Sequence, residues 1–577
     1  MTNGLGVTSE VKTLKKVLIH SPDGGIGKVL PSKAQEWLYE DIVDLAKMQE
    51  EYDVFKKLLL CYLDVPSLVA WFTKEYQNQM PQTDSIEWHT TKRGSWKRPD
   101  HEEFINSSKV VEVQRVISDM LMDDNLRHEM VAAICALENC SYTVQQILLN
   151  TTNDQNGKIW RGSYDKAYYC RQLAKTLLSG QLKYYKPDIE KALVEQVFPP
   201  VPNFVFTRDI SIMIGQYVLL SKAAETSRSR ESILTKYVML NYFFKDRPDR
   251  IVEINNDMEY LLGDEHEREN ARITIEGGDV MMVAKDHLLV GCSERTSVNA
   301  IDKIIKHLFR LRDDDGNKVL NKISVVVIPK KRTMMHIDTI VTMVDKRTWV
   351  LYGPLSKLKS LNWTANYRKN LHRATDVKES EADSIKIVRY NNQIITDDDG
   401  IQRYHEDDKS FDSFEDLFTD IGINDFGVEE DDMRFVYCGN PDVTTEVNNS
   451  EEWEDISTSK MDGYPFNDRE QWTDACNVLA IKEGLIIGYD RNHETCRAFQ
   501  RVGFKIVETV KLLDRLQNEV WSGLGANEPA EQLAKRVETL RDELVQQDTL
   551  FLIPSGELSR ARGGSHCMSM PLLREQM

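Results

Sequence analysis

Four stretches of this 577-residue chain repeat one pattern, an apolar run, a turn and a second apolar run, and that repetition restricts the fold more than any other feature. They are FVFTRDISIMIGQYVLLS, EGGDVMMVAKDHLLVGCS, HIDTIVTMVDKRTWVLYG and CNVLAIKEGLIIGYDR, each with the signature of a β-hairpin. An acidic residue stands near the start of each: Asp209, Asp279 (with Glu276 just before it), Asp338 and Asp474. Self-similar units set around an axis would gather those residues at one end of it. Three or four carboxylates in one cavity are costly unless a cation balances them, so the repeat itself points to a cationic ligand.

The expected organisation is an α/β catalytic body in two parts, 1–75 and 198–577, separated by a helical insert domain at 76–197. Lys15 to Pro22 reads as a short strand and turn, and about Ser32 to Leu60 as a helix. In the insert, Phe104, Val110, Val113, Val116, Ile117 and Leu121 form one apolar stripe and Leu173, Leu177 and Leu178 another; both are read as core packing. An acidic insertion, about 365–467, interrupts the second part. Its DDDG, HEDDK and EEDDM clusters read as surface loop and partial disorder, with a core strand at 434–439. DDDG lacks the spaced ligands of a calcium loop. A helical insertion at about 509–548 sets Leu533, Val537, Leu540 and Leu544 on one face, which should dock on the body or on a partner.

The net charge of −19 argues against nucleic acid as a partner. It is also local: between Asp397 and Glu470 stand 24 acidic and 5 basic residues, so the rest of the chain is close to neutral. No apolar run is long enough to span a membrane, and the N-terminus lacks the apolar core of a signal peptide, so a cytoplasmic location is expected. The nine cysteines include no CxxC pair, and Cys135 and Cys140 are read as core residues rather than a disulfide or zinc site.

Three segments carry groups suited to chemistry. In the run Ser559 to Cys567, two glycines allow close backbone approach, and Arg560, Arg562 and His566 are expected to favour the thiolate of Cys567. His336 and Asp338, two apart, would share one face of a strand and enter one cavity. Glu276 and Asp279 flank a glycine pair. Each signal is weak alone. Together they form a nucleophile, a proton shuttle and orienting carboxylates.

Seven ordered blocks, PNFVFTRD (202–209), IEGGD (275–279), SERTS (293–297), MHIDT (335–339), REQW (469–472), GYDRN (488–492) and ELSRARGGSHCMSMP (557–571), resemble the signature blocks of arginine deiminases. SEVKTLKKVLIHSP and LYED are similar to that family's N-terminal region, and the likeness covers about 9–72 and 197 to the end. The resemblance implies an α/β five-fold pseudosymmetric propeller, the pentein fold, that hydrolyses free L-arginine to L-citrulline and ammonia without metal or organic cofactor. By it, Cys567 is the nucleophile and His336 the acid/base. Asp209 and Asp338 clamp the guanidinium, and Glu276 adds a further carboxylate near the guanidinium and histidine. Arg228, Arg295 and Arg562 take the substrate's α-carboxylate, with Asn203 and Phe206 as further contacts. The chain departs from the pattern at Ser21, Ile210, Ala561 and Ala475-Cys476, positions that bear on substrate scope and loop closure more than on reaction class. The alternatives are an amidinotransferase or a deiminase of another guanidine, and a non-catalytic arginine-binding scaffold. A homo-oligomer is left open.

Overall fold

The hairpin strands are apolar at nearly every position rather than at alternate ones, the composition of strands covered on both faces. The computed structural model describes residues 4–30, 32, 41–79, 98–149, 166–184, 193–254, 272–356, 385–396, 402–440 and 465–577. The architecture is mixed α/β. β1 (Leu14–Ile19) leads to α1 (Leu45–Leu63), whose N-terminus is capped by the Asp44 carboxylate, and to α2 (Val65–Gln79). β2 (Val110–Glu112) is followed by α3 (Val113–Met120), α4 (Asp124–Leu137), α5 (Tyr142–Leu148) and α6 (Lys166–Ser179). A small hairpin, β3 (Gln181–Tyr184) and β4 (Leu193–Gln196), ends this stretch.

Next come β5 (Ser211–Ile214), β6 (Tyr217–Leu220), α7 (Ser229–Val238) and β7 (Ile251–Val252), then β8 (Val280–Ala284), β9 (His287–Cys292), α8 (Val298–Leu308) and β10 (Lys322–Val327). β11 (Val341–Met343), β12 (Thr348–Leu351), β13 (Lys386–Thr396), β14 (Gln402–Glu406), α9 (Phe414–Phe426) and β15 (Arg434–Tyr437) follow. The last part holds α10 (Phe466–Trp472), β16 (Leu479–Lys482), β17 (Leu485–Tyr489), α11 (His493–Arg501) and β18 (Lys505–Glu508). It ends with α12 (Thr509–Gly525), α13 (Ala530–Leu544), β19 (Thr549–Ile553) and β20 (Met570–Arg574).

Among the described residues, five sheets share one strand plan: an antiparallel pair whose second strand also pairs in parallel with a third. The trios are β5–β6–β7, β8–β9–β10, β11–β12–β15, β16–β17–β19 and β20–β1–β2. A parallel partner needs a long crossover, and α7, α8, α9 and α11 lie in four of these crossovers, with α1 and α2 in the fifth. Among the described residues no sheet closes into a barrel. The fifth trio joins the two ends of the sequence, Leu18 standing opposite Met570.

Four expectations need correction. The third strand of the fifth trio, β2, comes from within the stretch read as a helical insert, and β3–β4 adds a hairpin there. The acidic insertion is not mainly loop where it is described: β13 pairs with β10 along Lys322 to Val327, and α9 packs Phe418 flat on Trp349 with ring centroids 3.8 Å apart. Such a stack contributes about 0.5–1.5 kcal/mol beyond area burial. DDDG itself lies outside the described residues. FVFTRD is a helical turn (202–205 and Thr207–Ile210) leading into β5 rather than part of a strand. His336 is extended but Ile337–Thr339 is a 3-10 turn, so the HxD pair reaches the site from a turn, not a strand.

The 509–548 insertion forms the two expected helices. They dock on α2, where Trp521 Nε1 donates to the Phe72 carbonyl at 2.9 Å. Leu516, Val520, Leu533 and Val537 are buried there, each side chain contributing about 1.5–3 kcal/mol. The 434–439 strand is present as β15. Among the described residues no helix is long and apolar enough to cross a membrane.

Candidate active site

Four of the five sheets deliver a group from the connection just before a strand. Asp209 precedes β5, Glu276 precedes β8, His336 and Asp338 precede β11, and Cys567 precedes β20. One cavity is lined by nine of the ten residues singled out in the sequence: Asn203, Phe206, Asp209, Arg228, Glu276, Arg295, His336, Arg562 and Cys567. The tenth, Asp338, is beside Cys567, whose Sγ is 3.3 Å from its Oδ2. All ten are buried. The cavity is about 20 Å³, room for about one water, so a ligand of amino-acid size enters only if a wall moves.

The Cys567 loop is held by close backbone approach. A Cβ on Gly563 would meet the Phe206 ring at 2.3 Å, and one on Gly564 would meet the Asn477 carbonyl oxygen at 2.4 Å, so both positions demand glycine. Ser565 Oγ donates to the Ile487 carbonyl at 2.6 Å and accepts from the Leu479 amide at 3.0 Å, pinning the loop to β16 and β17.

The charged groups form two linked sets. In the first, His336 Nε2 donates to Glu276 Oε2 at 2.9 Å, and its Nδ1 is 3.9 Å from Asp209 Oδ1. Arg228 Nη1 donates to Asp209 Oδ2 at 3.1 Å and Glu276 Oε2 at 3.0 Å, while its Nε is held by Glu231 at 2.8 Å. In the second, His566 Nδ1 donates to Asp338 Oδ2 at 2.9 Å, and His566 Nε2 is 3.5 Å from Glu10, itself in a bidentate pair with Arg208. Asp209 Oδ1, Asp338 Oδ1 and Arg228 Nη2 are buried without a hydrogen-bond partner. These acceptors on separate aspartates and this cationic donor are thus left uncommitted in the site.

Burial alone would hold the His336 imidazole down, but the charge of Asp209 and the hydrogen bond to Glu276 outweigh it and carry the group up to about 10. For Glu276, burial is outweighed by the Arg228 charge and the His336 hydrogen bond, and the carboxyl sits well below its usual range. Burial pushes Asp209 up. The Cys567 thiol is driven well above its usual value, first by burial and then by the charges of Asp338, Asp209 and Asp474. The expected thiolate-favouring field is therefore overturned. Arg560 is paired outward with Asp41, Arg562 stacks 3.7 Å over the Trp472 ring, and His566 is spent on Asp338.

Two hairpin carboxylates do other work. Asp279 accepts from Ser293 Oγ and the Ile337 amide, bracing the loops, and Asp474 sits at positive φ (62°), where burial raises it to about 7. Arg295 lies between Glu225 (3.3 Å) and Glu294 (3.5 Å). Sequence reasoning missed Glu231, Glu10 and Asn477, none of which stands in a motif that marks it. Asp209, Glu276 and His336 each offer an atom within 4.8 Å of the others, a spacing a metal ion can use, but Arg228 already supplies positive charge to both carboxylates.

The raised His336 gives a pH prediction. A group whose pKa is higher folded than unfolded contributes stability that is complete below its unfolded value, 6.5, and is lost as pH rises towards about 10. Thermal unfolding midpoints should fall across that window, and His336→Asn should flatten the fall. An equal fall in the variant would assign the effect elsewhere.

A family model described as arginine deiminase matches residues 97–512. An arginine deiminase of Borrelia recurrentis is 25% identical over 586 residues, covering 99% of this chain and 98% of the relative. That of Bacillus cytotoxicus is 23% identical over 591 residues and covers 100% of both. Among solved structures, an amidinotransferase of the saxitoxin biosynthetic pathway from Microseira wollei covers 100% of this chain and 98% of its own at 9% identity. Its TM-score is 0.37, too low to bear on the fold.

Proposed function

Because the chain belongs to the arginine deiminase family, and is a hydrolase of that type, we propose that it converts free L-arginine and water to L-citrulline and ammonium through a covalent adduct on Cys567. The observation that carries the reading is the pair of buried, unpartnered carboxylate oxygens, Asp209 Oδ1 and Asp338 Oδ1, set around Cys567 and His336. A guanidinium offers N–H donors on two edges, and charge-assisted bonds to two aspartates would hold it planar before the sulfur. Its charge would offset the carboxylates that keep Cys567 protonated, so binding itself favours loss of the thiol proton.

The thiol proton passes to solvent, to be taken back when the products leave, and the thiolate forms a bond to the guanidinium carbon. His336, protonated at neutral pH, gives its proton to the departing nitrogen, and ammonia leaves a thiouronium on Cys567. The neutral imidazole takes a proton from water as the oxygen attacks the same carbon. The C–S bond breaks, the thiolate returns, and the proton released from the ureido oxygen ends on ammonia. Glu276, bonded to His336, holds the ring and supports its charged form. Arg228, tethered through Nε and Nη1, has Nη2 for the α-carboxylate, and Arg295 and Arg562 would complete that contact with Asn203 and Phe206 around them. Access requires a wall of this cavity to open.

The shared strand plan supports reading the five sheets as turns of a five-fold pseudosymmetric propeller. Nine free cysteines fit a reducing, cytoplasmic setting.

The test is direct. Purified protein with L-arginine alone should release citrulline and ammonia; turnover only with added glycine or lysine would mean amidino transfer, and no turnover of any guanidine would sink the enzyme reading. Arg295→Ala should weaken arginine on the order of 10²-fold, the scale of one charged hydrogen bond, and agmatine far less. Equal losses on both would remove Arg295 from the carboxylate contact.

A further inference from the structure

Asn477 is in the loop between α10 and β16, wholly buried against the nucleophile loop. Its Oδ1 accepts from the Cys567 backbone N–H at 3.0 Å. Its Nδ2 lies 3.1 Å from the Asp338 carbonyl oxygen and 3.2 Å from Cys567 Sγ. These partners fix which way the amide faces. A backbone N–H can only donate and a carbonyl can only accept, so oxygen must face Cys567 N and nitrogen must face Asp338 O. The second amide N–H is then left for the sulfur. Gly564 makes the approach possible, since a Cβ there would stand 2.7 Å from Asn477 Oδ1.

We propose that Asn477 is a further catalytic residue, donating a hydrogen bond to Cys567 Sγ that stabilises the sulfur as an anion and aims it while the C–S bond forms and breaks. The sulfur lies between two unlike neighbours. Asp338 Oδ2, 3.3 Å away, accepts from the neutral thiol and repels the thiolate. Asn477 does the reverse: its N–H bonds most strongly when the sulfur is charged. In a site crowded with carboxylates, it is a neutral donor aimed at the atom that becomes negative, and it persists when the thiol proton leaves. The same amide grips the backbone of Cys567, so the sulfur and its donor move together.

The catalytic consequence rests on the deimination reading, whereas the effect on the sulfur does not. The full chain is treated with iodoacetamide across a range of pH, and alkylation of Cys567 is followed by mass spectrometry of its own peptide, separating it from the other eight cysteines. In Asn477→Ala the profile should move up by about one pH unit, about tenfold slower alkylation below the midpoint. Asn477→Asp, which keeps an acceptor for the Cys567 N–H but cannot donate when ionised, should move it the same way. With arginine, kcat should fall about 10²–10³-fold, the usual loss of one preorganised donor, with KM within about threefold. If circular dichroism shows the alanine variant unfolded, the near-isosteric aspartate carries the test. Folded variants whose alkylation profiles superimpose on wild type overturn the proposal whatever their activity. Wild-type protein that makes no citrulline would sink the deimination reading and leave the alkylation result standing.

Discussion

Replacing Cys567 with alanine should abolish citrulline formation, a loss on the order of 10⁵-fold or more, because among the described residues no other thiol lines the cavity. The variant should still fold. The side chain is small, and the backbone bonds of this segment, Cys567 N–H to Asn477 Oδ1 and Arg208 N–H to the Cys567 carbonyl, do not involve the sulfur. It should also still bind arginine, since the two free acceptors on Asp209 and Asp338 remain. Calorimetry would separate the two outcomes. Turnover above about one part in a thousand of wild type would reassign the nucleophile, and lost binding with lost turnover would show that the substitution disturbed the carboxylates.

The second large effect is expected at His336. Its proton is held by Asp209 and Glu276, and in the proposed reaction both half-reactions use the ring, first as acid and then as base. His336→Ala should lower kcat by about 10³–10⁴-fold, near the upper range for a general acid–base group. A distinct trace should remain. If the alanine variant forms any thiouronium, it lacks the base that activates water, so the adduct should accumulate on the Cys567 peptide and be seen by mass spectrometry. Glu276→Gln should give a milder loss that worsens as pH rises, because His336 would lose a charged partner and titrate earlier. A Glu276→Gln profile parallel to wild type would detach Glu276 from the control of His336.

Much of this site was legible because hairpins advertise themselves locally. The pairs β8–β9, β11–β12 and β16–β17 are contiguous in sequence, so alternating runs and turns reveal them, and the acidic residues before them lie at corresponding places. β13 was not legible. Its sequence KIVRYNNQIIT is mixed polar and apolar, and Arg389 is buried only because Asp420 and Ser324 meet it from elsewhere in the chain. Glu231 and Asn477 were invisible for the same reason: their roles depend on Arg228 and Cys567 as neighbours in space. The state of Cys567 was misjudged because, of its cationic neighbours in sequence, Arg560 is paired outward, Arg562 is stacked on Trp472 and His566 is bonded to Asp338, while distant carboxylates turn inward.

The trio β20–β1–β2 has a consequence for biosynthesis. Cys567 is translated after every other group of the site and is brought home when β20 seats beside β1, a closure across more than five hundred residues. Such a contact forms late, since a long loop must be closed before it is rewarded. A growing polypeptide therefore presents the carboxylates, the imidazole, Arg228 and Arg295 before Arg562 and the sulfur emerge. A chain stalled before Cys567 lacks the nucleophile that the proposed reaction needs, however much of the remaining site has formed.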